Sequence, residues 1–345
     1  MSLIFVGYVI YSSRQQAKYQ EYLAEVATEE AAAAEAAGPE AEKTQSIEQA
    51  DTTAAVDRDV EIFGASLAAA RDRAAETVTM SNDYLTVEFS TAGASMYKVT
   101  LAEYTKYAPR EERNEKVVLY EPAPSHMGLE FYIRNGLNNV PVNTSEYVFT
   151  NEGVTRGDGF QKLTMRLDVA PESYLLYEYV LYDEKVPSRD YLLDFDIKLV
   201  NMAQLMANQS TVNLLWTART YQNERGYQNE NMYTTVSYRF PGEESIESLS
   251  TGDGEKQETV QNAVNWVAFK QQFFAEALIA PANFSYADVM YVTEAEDSGY
   301  IKNFSARMGL PYDAQTTQYD MSIYCGPNKY AVLSNVVDDN GDKIA

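Results

Sequence analysis

Two carboxylates at a spacing of two are the first residues in this chain that could do chemistry. Asp194 and Asp196 sit in LLDFDIKLV and face one side of an extended segment. Such a pair can hold calcium or divide the roles of acid and base. Leu193, Phe195, Ile197 and Leu199 alternate with them, however, so the same spacing makes them the wet face of a half-buried strand. That is the reading we adopt. His126 is the sole histidine. It stands in EPAPSHMG, which reads as a loop, with no G-x-S-x-G to complete a Ser-His-Asp arrangement. Cys325 is the sole cysteine, which excludes an intramolecular disulfide and every multi-cysteine metal site. It lies on an alternating apolar run and reads as core packing rather than as a nucleophile. Asp338, Asp339, Asn340 and Asp342 surround Gly341 but lack the twelfth-position glutamate of a calcium loop. Gly157-Asp158-Gly159 and Gly252-Asp253-Gly254 lack the lysine and helix of a phosphate loop and read as turns. The sequence therefore predicts no catalytic residue, no metal and no cofactor.

The densest aromatic stretch is Asn265 to Pro281, NWVAFKQQFFAEALIAP. Trp266, Phe269 and Phe273 fall at i, i+3 and i+7, the spacing of one helical face. We read a strand end, one helical turn, then a second strand through Phe274 that Pro281 ends. Trp266, Phe269, Phe273 and Phe274 are expected to be core, a keystone of the fold. A ligand platform would need convergent polar groups, and only Lys270, Gln271 and Gln272 offer themselves.

These residues need a large scaffold, and the composition supplies one. The chain has 345 residues, enough for a core that needs no covalent staples. Its formal net charge is −24, which argues against nucleic-acid binding and against adsorption to anionic lipid through the general surface. Tyrosine is abundant, at 27 residues, and suits half-buried strand faces. From Thr77 onward the texture is that of strands. Leu85, Val87 and Phe89 alternate with polar residues, as do Leu163 to Val169, Leu193 to Leu199 and Tyr319 to Ile323. Turn signals at Asn82-Asp83, Ala92-Gly93 and the two Gly-Asp-Gly sites separate them. Ser237 to Gln261 reads as a polar surface loop with room for one edge strand. Pro327 stops the last strand, and Asn328 is placed to cap a short helix carrying Tyr330 and Leu333. The expected fold is a large antiparallel β-sandwich, residues 77–335, with a short helix at its C-terminal end.

The region before Thr77 is different. Leu3 to Tyr11 is apolar over nine residues, too short as a helix to cross a ~30 Å hydrocarbon core. Residues 1–13 are either the outer end of a membrane anchor or an amphipathic start. Residues 14–76 are rich in Ala and Glu without a sustained apolar stripe, and read as a tether with a short helix near Val60 to Ala75. Residues 336–345 read as a connection.

Three segments in order carry a family resemblance. WVAFKQQFF from Trp266, VTMSNDYLTVEFSTAGASMYKVTLAEY from Val78, and YDMSIYCGPNKYAVL from Tyr319 resemble the periplasmic domain of the YidC membrane-protein insertases. The resemblance implies a two-sheet super-sandwich similar to galactose-mutarotase folds, an inner-membrane location with this domain on the periplasmic side, and a preceding membrane anchor. It also implies nascent membrane proteins and Sec translocon components as partners, with no nucleotide or cofactor. The insertion groove of that family lies in later transmembrane helices, so none of its residues carries over. Pro327 and Tyr330 belong to the closing segment of the resemblance and join the four aromatics as residues of structural or interaction interest. The mutarotase likeness raises an epimerase reading, which one histidine does not support. The rival reading from another class is a secreted or surface carbohydrate-binding β-sandwich.

Overall fold

The computed structural model describes residues 60–107, 115–119, 125–183, 188–206 and 209–337. The expectations for residues 1–13, for the tether up to Asp59 and for the connection after Val337 lie outside the described residues. No helix among the described residues is long and apolar enough to cross a membrane.

Elements are numbered along the chain. Helix α1 (Ala65–Arg71) leads into the strands, and two further short helices, α2 (Tyr227–Tyr233) and α3 (Tyr330–Leu333), interrupt and follow them. A four-stranded sheet runs β1 (Thr77–Ser81), β2 (Leu85–Ser90), β3 (Ser95–Thr105) and β4 (Lys116–Val118). A six-stranded sheet has the order β14 (Glu255–Val260), β17 (Ala287–Thr293), β18 (Tyr300–Pro311), β11 (Thr211–Tyr221), β5 (His126–Asn135), β6 (Asn138–Asn143). A nine-stranded sheet begins β13 (Glu247–Ser248), β12 (Thr235–Arg239), β15 (Val264–Lys270), β16 (Phe274–Phe284), β19 (Gln318–Pro327). It continues β10 (Leu192–Val200), β9 (Ser173–Tyr182), β8 (Phe160–Ala170), β7 (Thr150–Arg156). The pairings are antiparallel throughout, for example β10 against β19 and β9 and β11 against β18.

The nine-stranded sheet forms one layer, and aromatic contacts tie it to the other two sheets. Phe89 on β2 packs on Tyr179 on β9 at 4.7 Å between ring centroids. Trp216 on β11 stacks on Phe269 on β15 at 3.9 Å. The protein is therefore mainly β, a sandwich whose second layer is shared by the six- and four-stranded sheets. The alternations read from sequence map directly: β2, β8, β10 and β19 bury Leu85, Val87, Phe89, Leu163, Met165, Leu167, Leu193, Phe195, Ile197, Met321 and Ile323.

Three local expectations are corrected. Ser237 to Gln261 is no loop: it holds the end of β12, all of β13 and all of β14. The last two are the edge strands of two sheets, and edge strands can be polar because one side stays in water. Helix α2 was not expected, since its seven residues YQNENMY carry no apolar stripe beyond Tyr227. Asn328 does not cap α3, whose N-cap is Lys329. Its side-chain amide instead donates to the carbonyls of Gln271 and Phe274, each at 2.9 Å.

Helix α1 is stitched to the sandwich. Leu67 is fully buried, Val148 N–H donates to the Ala70 carbonyl, and Arg71 pairs with Glu146 at 2.9 Å. Upstream, Asn135 reaches the carbonyls of Glu61 and Ile62. Limited proteolysis is therefore expected to leave one large core beginning near Val60 rather than at Thr77. Mass spectrometry of the digest checks this; early cleavage inside β8, β9 or β10 would count against the sandwich as a single protected unit.

Candidate functional site

The aromatic stretch forms two strands and a tight turn. β15 runs to Lys270, residues 271–273 make a bend, and β16 begins at Phe274. There is no helical turn. This matters because side chains three apart lie on one face of a helix but on opposite faces of a strand. Phe269 points between the layers, stacked on Trp216 and on Phe304 at 4.8 Å. Phe274 also points inward, edge-on to Tyr104 of β3 at 5.4 Å. Trp266 lies on the other face of the sheet. Phe273 sits in the bend and is 51% exposed, so its core expectation fails. Pro281 does not end β16. The strand continues to Phe284, and the register slips between Val264 and Trp266. Four residues, Ala280 to Asn283, bulge out there, with Asn283 at φ +64°. A bulge tolerates a proline that a regular ladder would not.

Trp266 is 5% exposed because a groove surrounds it on the outer face of the nine-stranded sheet. The groove encloses about 460 Å³. Ala268, Ala275, Ala277 and Ile279 form its apolar floor beside Trp266, and Leu333 and Val336 close it from above. Tyr324 stands at one side with its hydroxyl donating to the Pro327 carbonyl at 2.8 Å. Gly326 allows this: an added Cβ there would lie 2.7 Å from the Tyr324 hydroxyl. Polar groups are few, namely Ser237, Ser248, Lys270 and Asn328 at the margin. Burial lowers the Lys270 pKa. Pro327 is buried, whereas Tyr330 on α3 is 81% exposed. Of the six residues singled out by sequence, four thus serve packing, on two different faces, and two face solvent.

The catalytic candidates stay apart. His126 is the first residue of β5, not a loop residue, and its Nδ1 contacts the Thr217 hydroxyl at 3.0 Å. Cys325 is fully buried, and burial drives its thiol pKa far up. Asp194 accepts from the Tyr182 hydroxyl at 2.7 Å and pairs with Arg189. Asp196 lies in register between Asp320 and Glu178. Burial, then Asp320 and Asp194, push its pKa up to about 6. Among the described residues no three His, Cys, Asp or Glu side chains could hold a metal ion. Among the buried acids that escaped the sequence reading is Glu276 on β16, fully buried between Phe269 and Cys325. Neither of its carboxyl oxygens has a hydrogen-bond partner, and burial raises its pKa strongly. Its place in AEALIA gave a period-2 signal that could have flagged it, since Phe274 and Leu278 share its face.

Fold and site together define a large antiparallel β-sandwich domain with an apolar groove beside its C-terminal helix. The family model of the YidC periplasmic domain matches residues 77–343, and the chain belongs to that family. Curated relatives called membrane protein insertase YidC include one from Bacteroides fragilis, 31% identical over 258 residues, 74% of this chain and 38% of the relative. Another, from Porphyromonas gingivalis, is 29% identical over 77% of this chain and 40% of its own length. The chain thus spans about two fifths of these relatives. Among solved structures, a putative aldose 1-epimerase from Escherichia coli K12 is 9% identical with a TM-score of 0.43, covering 73% of this chain and 99% of that one.

Proposed function

We propose that this chain is the periplasmic scaffold of an inner-membrane insertase, which inserts and folds membrane proteins alone or with the Sec translocon. The domain is non-catalytic. Its task is to hold geometry above the membrane and to contact Sec components or nascent membrane proteins. The observation that carries this reading is the family match, which spans the whole sandwich from β1 past α3. Within it, Trp266, Phe269, Phe274 and Pro327 maintain the fold, while Phe273 and Tyr330 offer exposed aromatic surface near the C-terminal end. The two are close neighbours, since Asn328 N–H donates to the Phe273 carbonyl at 2.7 Å.

A depletion strain tests the reading. Residues 1–345 alone are expected to leave growth and membrane-protein insertion at the level of the empty vector. The matching full-length insertase of the same organism should restore both. Restoration by residues 1–345 would overturn the non-catalytic scaffold assignment.

A further inference from the structure

A cavity of about 640 Å³ lies at the ends of β3, β4, β11 and β18, but its Tyr300 ring is already covered by Tyr221 and by the Arg219 guanidinium. Uncovered aromatic surface is found instead where the bend after β15 meets α2 and α3. Phe273 in the bend and Tyr330 on α3 are joined there by two exposed side chains at the end of α2, Met232 at 63% and Tyr233 at 50%. Hydrogen bonds tie the three segments together. The Lys270 ammonium donates to the Tyr233 carbonyl at 3.4 Å, the Asn229 side chain to Gln272 Oε1 at 3.2 Å, and Asn328 N–H to the Phe273 carbonyl at 2.7 Å. Large apolar side chains exposed singly need no explanation, but four on adjoining segments form a patch, and a patch marks an interaction surface.

Charge and backbone chemistry decide what suits this patch. The chain carries 51 acids against 27 lysines and arginines. In residues 227–234, 265–275 and 326–336, however, the sole acid is Glu230. It is buried and accepts from the N–H groups of Asn223 and Glu224, each at 3.0 Å. Asp253 and Glu296 reach α2 from neighbouring turns and accept from Asn231 and Gln228. Lys329 is exposed next to Tyr330, and Lys270 lies against Tyr233. Covering the patch therefore strips water from no exposed carboxylate of these three segments. The bend is also self-contained. Asn328 takes up the carbonyls of Gln271, Phe273 and Phe274, and Gln271 N–H donates to the Phe274 carbonyl at 2.8 Å. A polypeptide that docks by strand addition needs unpaired main-chain groups, whereas satisfied ones suit a medium poor in water. A second copy is disfavoured by repulsion between two chains of net charge −24.

We propose that Met232, Tyr233, Phe273 and Tyr330 seat this end of the domain in the headgroup layer of a lipid bilayer, with Lys270 and Lys329 towards the headgroup phosphates. Tyrosine suits that layer because its ring is apolar and its hydroxyl stays wet. The inference rests on the periplasmic-scaffold reading for its bilayer; the depletion strain tests that reading separately, and a failed vesicle result leaves it standing.

Tryptophan fluorescence tests it. Tyr330→Trp places a reporter in the patch, and Leu137→Trp places a control at the exposed tip of the β5–β6 hairpin. Each full chain is titrated with phosphatidylcholine vesicles, and the emission of the parent is subtracted. The Tyr330→Trp emission is expected to move to shorter wavelength and to be quenched by brominated lipid, while that of Leu137→Trp stays as in water. Adding Phe273→Ser to Tyr330→Trp should raise the lipid concentration for half the shift by about fivefold, with an unchanged thermal midpoint. No shift, an equal shift in Leu137→Trp, or an unaltered lipid requirement after Phe273→Ser would each overturn the assignment. So would a short-wavelength emission before lipid is added that is lost on dilution, the mark of a second copy. A shift with unfolded casein but none with vesicles would give the patch to a polypeptide partner and overturn it too.

Discussion

Phe269→Ala is expected to lower the thermal midpoint by about 10 °C, whereas Phe273→Ala, four residues away, should leave it nearly unchanged. Phe269 is fully buried and stacked between Trp216 and Phe304, so it joins β15 of one layer to β11 and β18 of the other. Truncating a buried phenylalanine costs about 3–5 kcal/mol, through lost transfer energy and the cavity left behind. Each kcal/mol is worth about 2–4 °C in a domain of this size. Phe273 is half exposed in a bend and loses little packing on truncation. Trp266→Ala should fall between them, since Trp266 is covered only by the residues around the outer groove. Differential scanning calorimetry of the three variants decides the order. Equal shifts for Phe269 and Phe273 would contradict the strand-and-bend geometry and restore a helical turn.

The second large effect concerns Glu276. Its folded pKa is raised by burial well above the ordinary 4.5. A group raised in this way holds its proton in the folded state after the unfolded chain has released it. Its contribution is fully present below about pH 4.5 and declines as pH rises towards the folded pKa. Over that window stability should fall by about 1.4 kcal/mol per pH unit from this group alone. Other raised acids, among them Asp196 and Glu230, add to the slope of the parent. The difference between parent and Glu276→Gln isolates the Glu276 share, because glutamine does not titrate. Glu276→Leu should in addition raise stability at neutral pH by about 1–3 kcal/mol, by removing two unsatisfied buried oxygens. Urea unfolding between pH 5 and 8 measures both. An identical slope in parent and Glu276→Gln would mean that residue 276 does not hold a proton through this range, and would refute the burial argument.

Much of the sandwich was legible because a half-buried strand writes its burial into the sequence every second residue. β2, β8, β10 and β19 could be read in this way. The polar edge strands β13 and β14 could not, since neither face needs apolar residues where only one neighbour is present. Helix α2 was equally silent: Glu230 and Lys302 hold it through contacts to turn N–H groups and to the carbonyls of Asn231 and Thr234, and such contacts leave no periodic pattern. The cavity at the strand ends joins residues from Lys106 to Tyr300, and no local spacing signals it.

By itself the sequence determined that the chain is a large β protein, that Cys325, Phe269 and Phe274 are core residues, and which family motifs it carries. Composition, alternation and short motifs are local properties, and local properties survive in a linear string. Only the tertiary structure decided which way each side of the aromatic stretch points. A spacing of three between Trp266 and Phe269 means one face if the segment is helical and two faces if it is extended. The ladder to β12 and β16 selects the extended form. Phe269 thereby enters the core, Trp266 floors an outer groove and Phe273 is left in solvent. Pairing between strands distant in sequence also carried Glu276 into the interior beside Cys325, where no partner reaches it.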